Sequence, residues 1–94
     1  MKVIYKYPLA ITDCPVVSLP KDATIVKVGN QGDSLFIWAV VDDSSEEVAR
    51  NFRIFGTGHP IPDDESLIFI DTVLMPNGLV WHIFSLTPRI VLSL

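Results

Sequence analysis

The sequence predicts an all-β protein: a small antiparallel barrel or sandwich of six or seven short strands. Three observations carry that reading. The apolar segments are short, rich in β-branched and aromatic residues, and separated by turn chemistry. The segment Ser34–Val41 is apolar at alternate positions on both sides. The joint Met75-Pro76-Asn77-Gly78 is a strong hairpin signal between two further apolar runs. A chain of 94 residues organises one hydrophobic core, so a single β domain over residues 1–84 is expected, followed by an apolar extension at 85–94.

The elements follow in order. Val3–Tyr7 reads as a strand that ends at Pro8, and Cys14–Leu19 as a second, with Pro15 tolerated at a strand start or on an edge. Leu19-Pro20-Lys21-Asp22 turns the chain, because Pro20 presets φ for a bend. Thr24–Val28 alternates, with Val26 and Val28 on one face and Ile25 and Lys27 on the other, and Gly29–Asp33 reads as a hairpin loop. In Ser34–Val41, Phe36, Trp38 and Val40 line one face and Leu35, Ile37, Ala39 and Val41 the other. A strand apolar on both faces belongs in the middle of a sheet with cover on each side. One short helical turn is expected near 44–50, where Ser44 or Asp43 offers an N-cap and Glu46 and Glu47 suit the positive end of a helix dipole. Phe52–Phe55 resumes strand character, Gly56–Glu65 is a loop, and Ser66–Leu74 pairs with Leu79–Phe84 as an antiparallel hairpin.

Composition excludes several classes. Hydrophobic residues make up 49% of the chain, which excludes a disordered segment. No apolar run reaches the ~20 residues of a membrane-spanning helix. One cysteine, Cys14, leaves no internal disulfide and fits a reducing compartment. The formal charge of −4 argues against general nucleic-acid binding, which draws its affinity from neutralising phosphates. The charge is uneven: residues 1–27 sum to +2 and residues 28–94 to −6, which is compatible with a basic face on the first strands or with a solvated surface of mixed sign.

No catalytic constellation emerges, and the chain reads as a non-enzyme. Cys14 has no neighbouring cation to activate it. The residues Cys14, His59 and His82 lack the spacing of zinc ligands, and neither a metal nor a cofactor is expected. The informative feature is the loop Gly56-Thr57-Gly58-His59-Pro60. Its glycines free consecutive N–H groups to face one anion, Thr57 and His59 add side-chain donors, and Arg53 stands three residues upstream with a planar fork for phosphate or carboxylate. Trp81, Trp38 and Phe55 are flat surfaces on which a ring could stack. Arg53, Thr57, Gly58, His59 and Trp81 are therefore the candidate ligand-binding residues, for a small anionic, nucleotide-like molecule. The competing reading of the same loop is a rigid turn braced by His59-Pro60.

Four blocks, Ile4–Leu9, Ile37–Asp42, Phe55–Ile61 and Gly78–Phe84, resemble in order a family of small tailed-bacteriophage proteins of unknown function. The resemblance covers about residues 3–84 and brings no site residue with it. It implies a phage gene product in the host bacterial cytoplasm or in the particle. The expected function is a non-catalytic binding protein acting against host defence or host metabolism, by capping a host protein or by sequestering a small anionic signal near Gly56–Pro60. A homo-oligomer would account for the apolar surplus. The alternative is a virion structural or assembly protein that docks through an edge strand or the Ile90–Leu94 arm.

Overall fold

The computed structural model describes residues 1–87. It is all-β, with seven strands: β1 (Lys2–Leu9), β2 (Val16–Pro20), β3 (Thr24–Gln31), β4 (Ser34–Asp42), β5 (Glu47–Gly56), β6 (Leu67–Leu74) and β7 (Val80–Leu86). They form two antiparallel sheets, of order β1-β4-β3 and β2-β5-β7-β6, and do not close into a barrel. The apolar arm expected at the C-terminus lies largely outside the described residues.

The core lies between the sheets. Leu35, Ile37, Ala39 and Val41 face it from β4, with Phe52 and Ile54 from β5 and Ile83 from β7. β4 is the middle strand of its sheet, as its two apolar faces require. Its other face, carrying Phe36, Trp38 and Val40, is only half-buried. The second cover that the sequence calls for is thus incomplete within the described chain.

Three local outcomes differ from the sequence reading. No helical turn forms at 44–50. Ser44 and Ser45 only turn the chain, and strand β5 begins at Glu47, where Glu47–Asn51 pairs with Val16–Pro20. Local helix preference here yields to ladder pairing, which satisfies the backbone of both segments. Gly29 is not in a loop. It lies within β3 opposite Phe36, and the hairpin turns at Gly32-Asp33, with Gly32 at φ 60°. The alternation of β3 is broken by a bulge between Ile25 and Lys27. That bulge expels Val26 to solvent and lets Ile25 and Val28 share the inner face.

The β6–β7 hairpin forms where Asn77-Gly78 places it. Gly78 N–H donates to Met75 O (3.0 Å), Met75 N–H to Leu79 O (2.8 Å), and Gly78 alone in this turn takes positive φ, 87°. This is a type I turn followed by a left-handed glycine.

Candidate functional site

The Gly56–Pro60 segment folds as a tight turn at the end of β5. His59 N–H donates to Gly56 O (3.1 Å), and Gly58, third in the turn, takes φ 87°, which a side chain would resist. The His59 ring folds back over Gly56, and its Nδ1 accepts the Gly56 N–H (3.2 Å). Thr57 Oγ1 lies 2.9 Å from His82 Nε2, while His82 Nδ1 lies 2.9 Å from Thr72 Oγ1. Thr57, His59 and Trp81 line one cleft of about 260 Å³ with Gly78, Leu79 and Val80.

Arg53 does not join that cleft. Its Nε donates to Asp13 O (3.1 Å), its Nη1 to the Glu65 carboxylate, and its guanidinium lies 4.8 Å from the Phe55 ring centroid. The turn thus brings three of the sequence-derived candidates together, Gly58 supplies its left-handed corner, and the fork of Arg53 is committed elsewhere.

A larger hollow, about 510 Å³, lies where the edge strands β3 and β6 of the two sheets approach each other. Such a volume falls in the range of small-molecule sites. Ile4, Val26, Val73 and Leu74 give it apolar walls, and Trp38 and Lys27 line it beside Gly29. Gly29 determines its shape. A Cβ there would meet Lys27 Cε at 3.4 Å and Trp38 Cζ3 at 3.6 Å, so its absence leaves room for the Lys27 stem beside the half-buried indole. Trp38 is itself held by Phe36, at a ring-centroid distance of 6.1 Å.

Polar chemistry at the seam centres on Asp71. Its Oδ2 accepts the Val28 N–H (3.4 Å) and lies 3.2 Å from Lys27 Nζ, while Oδ1 accepts the Thr72 N–H (2.9 Å). Lys27 remains 60% exposed, and an ion pair so exposed contributes at most about 1 kcal/mol. The ammonium can therefore exchange Asp71 for another anion at little cost. Of this site the sequence points only to Trp38, as a stacking surface. The two bulges that bring Lys27 and Asp71 together, one in each strand, have no signature in residue type, and Gly29 reads as turn chemistry beside Gly32.

The chain belongs to the DUF7352 family, a domain of unknown function, whose family model matches residues 1–91. No curated protein and no solved structure matches the chain.

Proposed function

We propose that this chain is a non-catalytic binding protein that takes a small, planar, anionic, nucleotide-like ligand in the hollow between β3 and β6. The observation that carries this reading is the half-buried Trp38 indole in a hollow that Lys27 also lines, with Gly29 adding no side chain between them. A ring stacks on the indole, Ile4, Val26 and Leu74 exclude water from its rim, and Lys27 turns from Asp71 to the ligand's anion. Holding such a molecule requires no reactive group. The setting we propose is a phage gene product that depletes a small host signal in the host bacterial cytoplasm, which rests on the sequence resemblance.

Fluorescence tests the assignment. In a Trp81→Phe background Trp38 is the lone indole, and adenosine monophosphate should change its emission at concentrations where adenosine and inorganic phosphate do not. Gly29→Ala, whose methyl meets Lys27 Cε at 3.4 Å and Trp38 Cζ3 at 3.6 Å, is accommodated by the fold yet crowds the Lys27 stem and the indole edge on which the ligand depends. It should weaken binding at least tenfold with the urea midpoint unchanged. Binding indifferent to both Gly29→Ala and Lys27→Ala, or no response to any nucleotide, removes the assignment.

A further inference from the structure

Among the described residues the sheet order leaves one side of β1 without a strand, and the hydrogen-bond phase determines what that side presents. Lys2 stands opposite Asp42, and one step on, Asp43 N–H donates to Met1 O (3.1 Å). Bonded and non-bonded pairs alternate along an antiparallel ladder. Val3, Tyr5 and Tyr7 therefore turn their main-chain groups to β4, and Lys2, Ile4, Lys6 and Pro8 turn theirs outward. Two facts agree with this phase. Pro8, which has no N–H, falls in the outward set, where a proline breaks no ladder bond. On the far side of the same sheet, the Val28 N–H points away from β4 and reaches Asp71.

Side chains at this edge are uncovered as well. Ile4 is 60% exposed. Tyr5 stands opposite the fully buried Ala39 yet is 47% exposed, so the sandwich does not close over β1. Lys2 and Lys6 flank Ile4 on the outer face, and among the described residues neither is within ion-pair distance of a carboxylate. Lys6 Nζ instead donates to the neutral Gln31 Oε1 (2.8 Å).

We propose that the open edge of β1 accepts an extended acidic segment of a partner protein as an added strand. An apolar residue of that segment sits against Ile4, and carboxylates two positions to either side face Lys2 and Lys6. Main-chain bonds to Lys2, Ile4 and Lys6 supply the docking, and the paired charges supply the choice of partner. A second copy of this chain fits poorly along the full length of this edge. Two-fold pairing centred on Ile4 sets Lys2 against Lys6 twice, and pairing centred on Tyr5 sets Lys2 opposite Pro8, which has no N–H to give.

The test uses the full chain, labelled for NMR, with the peptide acetyl-Glu-Val-Ile-Val-Glu-amide and its analogue with lysine at both ends. The acidic peptide should slow exchange of the Lys2, Ile4 and Lys6 amides and bind about tenfold more tightly than the lysine analogue. The double variant Lys2→Glu with Lys6→Glu should reverse that order while leaving the fold unchanged, since both side chains are exposed. Equal binding of the two peptides, protection at other strand edges, an unreversed order, or no binding at millimolar peptide overturns the proposal. So does protection of the same amides that grows with protein concentration alone, which would identify a second copy as the occupant.

Discussion

Asp71 Oδ2 accepts the Val28 N–H across the seam between β6 and β3, at 3.4 Å, in the place where a neighbouring strand would supply a carbonyl. A side chain thus does locally what a ladder does elsewhere. Both strands are bulged beside this contact, β3 between Ile25 and Lys27 and β6 between Phe69 and Asp71. The two sheets are tied at that point without being zipped together, and the hollow over Trp38 opens where the zipping is missing.

Asp71→Ala should destabilise the fold by about 1–3 kcal/mol, because it leaves a partly buried Val28 N–H without an acceptor. Asp71→Asn retains an oxygen for that bond and should cost about half as much. Urea denaturation of the two variants measures the difference, and amide exchange at Val28 should accelerate in the alanine variant only.

The turn at the end of β5 gives a second prediction. A Cβ on Gly56 would lie 2.8 Å from His59 Cε1, too close for the ring to keep its place. Gly56→Ala should therefore expel the imidazole, break its bond with the Gly56 N–H, and cost about 1 kcal/mol. Adding His59→Ala removes the clash, so the double variant should be no less stable than His59→Ala alone. Additive losses in thermal melts would show that the ring does not rest on Gly56.

Arg53→Ala tests whether that side chain braces the fold. The change leaves the Glu65 carboxylate without its cation, with Oε2 already buried and unpaired among the described residues, and leaves the Asp13 carbonyl with the Ile54 N–H alone. A loss of about 1–3 kcal/mol is expected, with little rescue by Arg53→Lys, since an ammonium cannot reach both acceptors in the fork geometry. Nucleotide titration of the folded Arg53→Ala variant should match the parent. A selective loss of affinity there would move the ligand site from the β3–β6 hollow to Arg53.

Much of the fold was legible from side-chain period and turn chemistry. The position of β4 follows from its two apolar faces, and the β6–β7 hairpin from Asn77-Gly78. The start of β5 was hidden because Glu46-Glu47-Val48-Ala49-Arg50 has acceptable helix propensity, and only its partner Val16–Pro20 decides otherwise. The hollow was hidden for a related reason. Its walls come from four strands, and the bulges that assemble them depend on pairing between distant segments. At the β5 turn the sequence identified the residues but not how His59 and Arg53 are engaged by Gly56, Asp13 and Glu65.

Acid stability gives a prediction with a definite sign. The Ser44 hydroxyl (2.6 Å) and the Ser44 N–H (3.0 Å) both donate to Asp42 Oδ1 and, with a smaller share from the Met1 ammonium at 3.3 Å, lower the Asp42 pKa from 3.8 to about 2. A carboxyl with a folded pKa below its unfolded one stabilises the fold in its ionised form. This contribution is complete above about pH 4 and disappears as pH falls through about 2. Ser44→Ala removes the hydroxyl donor and keeps the N–H, so the Asp42 pKa should rise part of the way back towards 3.8. A carboxyl-carbon NMR titration of Asp42 reads that shift directly. The fall in urea midpoint between pH 5 and pH 2.5 should also be smaller in Ser44→Ala than in the parent, because less of the stabilising difference is present to lose. An unmoved Asp42 titration in that variant would mean the turn does not hold the carboxylate.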